Sequence, residues 1–299
     1  MQPAMRFDYT TLGHVTVDVM ADGSRRPGGG AFYSALQAAR LGLKAQIVTQ
    51  GNPSEIEELL APFAAELALH VRPAPHTTTL ATSGRGDGRR QRLLSWAGPI
   101  ASDVPVDTTI LHLAPVARET AASWRGAPGF IGLTAQGLTR SWPAGGGEIS
   151  QVELDRRRVP ERCDAIVISA KERASCAWLL TGADDAPTPA GARAGQAGAH
   201  FHSPRAPLVA VTARWAATEL HMASGGVRRV PVPATEQVVD DLGAGDVFAA
   251  ALFIALHDGS APVQATRFAH AAAAVRIGAT GPQAVGRRAA IAAQLSSRP

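Results

Sequence analysis

The sequence predicts an α/β fold with a mostly parallel central sheet and helices on both faces. Strand-like and helix-like segments alternate along most of the 299 residues, as in chains built from βα units. Two glycine-rich turns each lead into a helical segment. Short apolar runs indicate strands buried on both faces, which is typical of parallel sheets. The clearest of these runs are Ile110–Leu113, Phe130–Leu133, Ala165–Ile168 and Leu208–Val211.

The N-terminal elements follow in order. Alternating character over Tyr9–Val19 predicts one strand, and the glycines after Pro27 predict a turn before a helix over Ala31–Leu41. A short strand is predicted over Ala45–Thr49. A helix over Ser54–Leu67 comes next, with Ser54 as its N-cap.

A hairpin interrupts this alternation. Thr77–Leu80 and Arg90–Trp96 have strand character and flank the turn at Gly84–Gly88. In a chain of βα units such a hairpin tends to lie off the main sheet. It is therefore placed to form a flap over a site.

The C-terminal third contains a strand and two helices. Val227–Val232 has strand character, Val247–Leu256 is an apolar run of strong helix formers, and Phe268–Val275 is an Ala-rich helix. Thr181–Pro207 is rich in Ala, Gly and Pro, and we interpret it as a loosely packed helix–loop region.

Composition limits the class of protein. A hydrophobic content of 45% and a charged content of 18% are enough for a sizeable core. The formal net charge is +4 and no concentrated basic tract is present, so we expect no nucleic-acid partner. Arg156–Arg158 and Arg89–Arg90 are short runs, which we interpret as solvated charge, with contact to a substrate phosphate as the alternative for either.

The lack of a recognisable targeting signal and the spacing of the two cysteines predict a cytoplasmic protein. Met1–Thr10 lacks a basic start and an apolar core, and no apolar stretch approaches the length of a membrane span, so we expect no membrane partner. Cys163 and Cys176 have neither metal-site nor disulfide spacing, so reduced, buried thiols are expected.

The most informative segment is Gly243-Ala244-Gly245-Asp246, which precedes the apolar helix. Free backbone N–H groups at such a helix start form an anion site. A carboxylate beside that site can accept a proton from a hydroxyl that attacks a phosphate, which indicates phosphoryl transfer to an alcohol. On these residues alone an ordinary helix start remains open, because the helix dipole also favours an early Asp.

This segment, extended over Asp240–Phe248, resembles the C-terminal signature of the ribokinase-like (phosphofructokinase-B-type) carbohydrate kinases. That signature usually reads Asp-Thr-Thr-Gly-Ala-Gly-Asp-x-Phe, and here Asp241 and Leu242 replace the middle pair. The resemblance implies a ribokinase-like fold as a single domain over 1–299, with a small β lid from about 13–27 and 76–97. It also implies ATP, Mg²⁺ and a sugar or polyol hydroxyl as acceptor. Asp246 would be the base, while backbone N–H groups of Gly243, Ala244 and Gly245 would stabilise the phosphoryl group.

The N-terminal glycine block is similar to the family's acceptor-binding signature. Gly28 and Gly29 match its glycines, and Tyr33 stands where the family has an Asn that contacts sugar hydroxyls. Asp18 follows Gly13 at the family's spacing, and a carboxylate suits polyol recognition. Without the resemblance, a tight strand-to-helix turn and a surface acid explain these residues as well.

The metal ligands are also implied by resemblance. Glu172 follows Ser169 as in the family's Asn-x-x-Glu motif, whose Glu helps to hold Mg²⁺, although Ser-x-x-Glu is also an ordinary capping box. Asp240 corresponds to a position that lies near a monovalent cation in some members.

The donor loop departs most from the family. Val211–Ala217 lacks both glycines of the usual Val-Thr-x-Gly-x-x-Gly pattern, although Thr212 is retained. Arg214 either reaches a phosphate or obstructs the nucleotide path. His270 stands where the family often has an Asn near the adenine, or else serves helix packing.

Two alternatives to a sugar, polyol or cyclitol kinase stay open. A nucleoside kinase would stack its base on aromatics such as Tyr33, Phe32 and Trp96. A catalytically silent ligand-binding protein would explain the altered donor loop.

Exposed strand edges in the lid would allow a homodimer. The sequence has no Walker A motif, dinucleotide fingerprint or serine elbow.

Overall fold

Nine strands form the central sheet of the computed structural model, which describes residues 6–84, 88–180, 206–233 and 238–296. Their order is β16-β15-β14-β13-β9-β8-β1-β4-β5, and the seven from β14 to β5 are parallel, while β15 and β16 run antiparallel at one edge. The bounds are β1 Phe7–Leu12, β4 Ala45–Gly51, β5 Ala68–Pro73, β8 Thr108–Leu113, β9 Phe130–Thr134, β13 Ala165–Ser169, β14 Leu208–Ala213, β15 Ala216–Met222 and β16 Val227–Val230.

A second sheet of five strands covers the carboxyl edge of the first. Its order is β11-β7-β6-β2-β3. We call this sheet the lid. Its strands are β2 Thr16–Val19, β3 Arg25–Gly28, β6 Thr79–Ser83, β7 Arg90–Ser95 and β11 Gly147–Glu148, and a separate pair is formed by β10 Arg140–Ser141 and β12 Ser150–Gln151.

Helices pack on both faces of the central sheet, and no helix in the described ranges is long and apolar enough to cross a membrane. Side chains alternate between two cores along β13: Ala165 and Val167 face the first core, whereas Ile166 and Ile168 face the second. The first core holds α1 Gly30–Arg40, α2 Pro53–Leu60, α4 Ala244–His257, α5 Pro262–Ile277 and α6 Arg288–Ser296, and the second holds α3 Ala177–Leu180.

The predicted α/β class is confirmed, but the single strand over Tyr9–Val19 is wrong. The chain leaves the central sheet at Gly13, where a Cβ would lie 2.3 Å from the carbonyl oxygen of Ala114. The backbone N–H of Val15 then donates to the hydroxyl of Thr49 at 2.9 Å. These contacts redirect the chain into the lid, so β1 and β2 belong to different sheets.

The helix predicted over Ser54–Leu67 is shorter, and its N-cap is Asn52. The Asn52 side chain accepts from the N–H of Glu55 at 3.1 Å, and Pro53 occupies the first helical position. The Ala-rich helix is α5, longer than predicted at both ends. The hairpin is confirmed as β6 and β7. The elements that were not predicted are strands β3, β5, β10, β11, β12 and β15 and helices α3 and α6. Residues 181–205 of the predicted helix–loop region lie outside the described residues.

Candidate active site

A cavity of about 170 Å³ lies between the lid and the carboxyl ends of the parallel strands. Thr134, Ser169 and Thr212 line it from the ends of β9, β13 and β14, and Asp18 and Leu80 line it from the lid. Ligands of open parallel α/β sheets bind at this edge.

The start of α4 forms one wall of the cavity. Gly243 caps the helix in the left-handed region at φ 76°, and a Cβ there would lie 2.3 Å from Cγ of Tyr33, so glycine is required twice over. A Cβ on Gly245, in contrast, would meet open space. The N–H of Ala244 makes a long 3.4 Å bond to the Asp241 carbonyl. First-turn N–H groups have no acceptor within the helix and remain available to an anion.

Asp246 lines the cavity from the first turn of α4. Burial, helped by the charges of Asp18 and Glu172 and opposed by those of Arg140 and Arg89, raises the pKa of its carboxyl from 3.8 to about 7. Gly30 lies against the carboxylate, since a Cβ there would be 2.9 Å from Oδ1. The predicted base is therefore poised to exchange a proton near neutral pH.

Asp18 projects from β2 into the same cavity and is 2% exposed. The hydroxyl of Thr16 donates to its Oδ1 at 2.9 Å. Burial raises its pKa to about 6, against the Thr16 hydrogen bond and the charges of Arg140 and Arg89. Gly28 does not line the cavity but lies behind this carboxylate, where a Cβ would come within 2.4 Å of Oδ2.

Gly29 and Tyr33 line the cavity from the glycine block before α1. Gly29 has φ 92°, and a Cβ there would lie 2.3 Å from the His14 carbonyl oxygen. Tyr33 is 1% exposed, and burial raises the pKa of its phenol to about 12. Its ring packs on Gly243 and faces the Arg276 guanidinium at 5.3 Å, so much of the side chain serves packing.

Arg140 is a site residue that the sequence reasoning missed. It lines the cavity at the start of β10 and is 9% exposed. Its guanidinium donates to the Val116 carbonyl at 2.9 Å and to Oε1 of Gln91, on lid strand β7, at 2.7 Å. The charges of Glu172, Asp18 and Asp246 counter the lowering of its pKa by burial. No local pattern marks this arginine, because its burial depends on segments distant in sequence.

Glu172 lines the cavity after β13 and is 4% exposed. Its Oε2 accepts from the N–H of Ser169 at 2.6 Å, so the capping interaction and the cavity position coexist. Within the described ranges no three His, Cys, Asp or Glu side chains group as a metal site. A Mg²⁺ ion needs only one or two carboxylates when phosphate oxygens and waters supply the other ligands, and Glu172 fits that donor set.

Two arginines meet Asp241 beside the donor loop. Arg89 of the lid makes a close ion pair with Asp241 and lines the cavity. Arg214, at the turn between β14 and β15, lies 3.4 Å from the other Asp241 oxygen and has φ 48°. Thr212, at the end of β14, lines the cavity. Arg214 is thus held at the edge of the site through Asp241.

Five predicted residues are not among those that line the cavity: Gly28, Ala244, Arg214, His270 and Asp240. His270 lies on α5 and packs against β15, where its Nε2 is 2.9 Å from the Thr218 hydroxyl. Its ring contacts Phe248, and burial lowers its pKa to about 4. This position agrees with the helix-packing alternative. Asp240 lies behind the loop before α4 and pairs with Arg276 at 3.1 Å.

Comparison with known proteins identifies relatives of the C-terminal part. Residues 180–288, which contain the start of α4, match the family model described as pfkB family carbohydrate kinase. None of the curated proteins matches the chain significantly.

Solved structures share the fold over nearly the whole chain. A pyrophosphate-dependent kinase of the ribokinase family, complexed with a pyrophosphate analogue and myo-inositol, is 18% identical with TM-score 0.69 over 95% of this chain and 99% of that one. Arabidopsis thaliana ribokinase with ribose and ATP is 16% identical with TM-score 0.66, covering 97% and 99%. Burkholderia thailandensis nucleoside kinase with inosine is 16% identical with TM-score 0.71, covering 97% of each chain. The predicted ribokinase-like fold is confirmed.

Proposed function

We propose that this chain, a ribokinase-fold phosphotransferase of the pfkB carbohydrate kinase family, transfers the γ-phosphoryl group of ATP to a hydroxyl of a small polyol or cyclitol. The observation that carries the proposal is the start of α4. There a carboxyl with a pKa of about 7 stands beside first-turn N–H groups at a cavity shared with Asp18.

Asp246 accepts the proton of the attacking hydroxyl. A base works best when its pKa lies near the operating pH, because it is then both deprotonated and basic enough to take the proton. The raised pKa of Asp246 meets this requirement. The nearby charges of Asp18 and Glu172 keep its pKa high, and the arginines limit the rise.

Charge on the transferring phosphoryl group is stabilised from two sides. Backbone N–H groups of Gly243, Ala244 and Gly245 belong to the helix start, where the dipole favours an anion. Arg140 supplies a guanidinium whose position is fixed by Val116 and Gln91. Preorganised donors of this kind are often the largest contribution to catalysis.

Magnesium would be held by Glu172, with Asp246 adjacent, and would neutralise charge on the donor phosphates. The family resemblance also implied a monovalent cation beside Asp240. Thr212 lines the cavity on the side where the phosphoryl donor would bind.

The acceptor lies against Asp18, Gly29 and Tyr33. The Asp18 carboxylate can accept hydrogen bonds from two neighbouring hydroxyls, which suits a polyol or cyclitol ring. The solved relative that contains myo-inositol supports this class. Of the three aromatics proposed for a nucleoside base, Tyr33 alone lines the cavity: Phe32 packs on Phe63, and Trp96 packs at a tilt against Trp142.

Pyrophosphate is a second candidate donor. Arg214 and Trp215 form the turn where the family pattern carries a glycine, and the donor side is instead rich in arginine. Guanidinium groups recognise phosphate oxygens whether or not a nucleoside is attached. A relative of the same fold, with pyrophosphate as its donor, supports testing both donors.

The test is a matrix of two donors, ATP and pyrophosphate, each with Mg²⁺, against myo-inositol, ribose, other polyols and nucleosides, with ³¹P NMR of the acceptor as readout. We expect one polyol or cyclitol to be phosphorylated, and Asp246→Asn to abolish the signal. Asp258→Asn, at the exposed far end of α4, is the matched control. Absence of transfer from both donors, with no donor binding by calorimetry, would support the silent binding protein instead.

A homodimer through the lid belongs to the same proposal. The lid ends in β3 on one side and β11 on the other, and strand edges of this kind can pair with a second copy. Light scattering coupled to size exclusion measures this directly, and a mass of one chain would contradict it.

A further inference from the structure

A buried arginine lies where the family resemblance implied a monovalent cation. Arg276, in the last turn of α5, has a side chain that is 0% exposed. Its Nη1 donates to the carbonyl oxygens of Asp240 at 3.3 Å and Ala279 at 3.1 Å, and its Nη2 donates to Oδ2 of Asp240 at 3.1 Å. One guanidinium therefore binds a carboxylate and two carbonyls, the oxygen ligands that a free cation would need.

Further donors contact the Asp240 carboxylate. Its Oδ1 accepts from the N–H of Leu242 at 3.0 Å, and its Oδ2 accepts from the N–H of Gly281 at 2.9 Å. Arg26 adds a second positive charge 3.9 Å from Oδ2. A free K⁺ or Na⁺ ion at these oxygens would have to displace the guanidinium or lie beside it, at a cost in like-charge repulsion. The residues present do not fit a free ion.

Arg276 also reaches the start of α4 through Tyr33. The guanidinium lies 5.3 Å from the centre of the Tyr33 ring, and that ring packs directly on Gly243. Through Asp240 the same guanidinium is connected to the backbone of Leu242. Two contact routes thus lead from one charge to the two residues that precede the first turn of α4.

We propose that Arg276 is a positioning residue that serves as a tethered internal cation for the loop before α4 and makes the enzyme independent of free monovalent cations. The inference rests on the proposed phosphoryl transfer for its kinetic consequence. A covalently held charge needs no ion from solution, so the loop keeps its conformation at any K⁺ concentration. The anion-binding N–H groups are then preorganised without an added ion.

The first test uses the wild-type protein in KCl and in tetramethylammonium chloride at equal ionic strength. We expect the initial rate to agree within about 2-fold, and thermal unfolding to occur at the same temperature in both salts. A rate that depends on K⁺ by more than about tenfold, or a K⁺-specific rise in the unfolding temperature, would overturn the proposal. Thermal unfolding needs no turnover, so it decides the cation question even if the proposed kinase activity fails.

The second test removes the charge with Arg276→Met. We expect kcat to fall by about 10²-fold through misplacement of the α4 start, with KM for the acceptor little changed. K⁺ should then restore part of the rate and raise the unfolding temperature of this variant alone. Arg276→Lys, which keeps a tethered charge, should retain more activity and show a smaller response to K⁺. Arg267→Met, the same substitution at an exposed position of α5, is the control.

Each outcome of this second test supports or contradicts the proposal. If Arg276→Met behaves like Arg267→Met, or shows no K⁺ response in either rate or stability, Arg276 does not stand in for a cation. If Arg276→Met fails to fold, Arg276→Lys and the wild-type salt comparison still decide the question. In that case a K⁺ requirement in the wild type would overturn the proposal, and its absence in the wild type would support it.

Discussion

Asp246→Asn should lower turnover and raise stability at the same time. Asparagine nearly preserves the shape of the side chain but cannot accept the hydroxyl proton. Loss of a general base costs about 10²–10⁴-fold in rate, so we expect kcat to fall by that factor. The wild-type enzyme should lose kcat/KM about tenfold per pH unit below pH 7, because the raised pKa leaves Asp246 protonated there.

The expected gain in stability follows from the same pKa. The folded-state pKa of Asp246 is about 7, against 3.8 ordinarily, so ionisation favours the unfolded chain as the pH rises from about 4 to 7. The full difference corresponds to about 4 kcal/mol, and the partial opening of the carboxylate to the cavity reduces this to about 1–2 kcal/mol. Asparagine avoids that cost. At pH 8 the variant should unfold a few degrees above the wild type.

Thermal unfolding at pH 4, 6 and 8, alongside kcat at pH 8, measures both effects. The two proteins should unfold together at pH 4 and separate progressively above it. Asp258→Asn should show neither the kinetic loss nor the pH-dependent gap. An Asp246→Asn protein that keeps more than about a tenth of the turnover, or that is less stable than wild type at pH 8, would refute the reasoning.

Two further predictions concern charge and backbone at the same cavity. Arg140→Met should lower kcat by about 10²–10³-fold. It should also move the acid limb of the pH–rate profile to higher pH, because Arg140 lowers the pKa of Asp246. Arg140→Lys keeps the positive charge and should leave the acid limb near its original pH. Gly243→Ala should cost about 2–4 kcal/mol in denaturant unfolding, because of its left-handed φ and the Tyr33 ring. Gly245→Ala, where the Cβ meets open space inside a helix, should leave stability unchanged or raise it by up to about 1 kcal/mol, yet raise KM for the donor. Equal destabilisation by the two glycine substitutions would count against this account of the helix start.

Local patterns predicted the start of α4 because glycines before an apolar run and an early Asp act within a few residues. The same holds for the hairpin and the buried strands. The break at Gly13 could not be predicted, since it depends on Ala114 and Thr49, which are distant in sequence.

The missed site residues share one cause. Arginine is usually exposed, so nothing local marked Arg140 or Arg276 as buried. Each is held by carbonyl and side-chain oxygens that other elements supply, Val116 and Gln91 for the first, Asp240 and Ala279 for the second. Such networks become visible only when the topology brings the elements together.

The order of the lid strands along the sequence has a consequence for folding. Its parallel pair, β2 with β6, joins residues about sixty positions apart, and strands β4 and β5 of the central sheet lie between them in sequence. Closing so long a loop is entropically costly until the intervening strands have paired. We therefore expect the lid to form after the central sheet and to open before it, so that local unfolding exposes Asp18 while Asp246 stays anchored to α4.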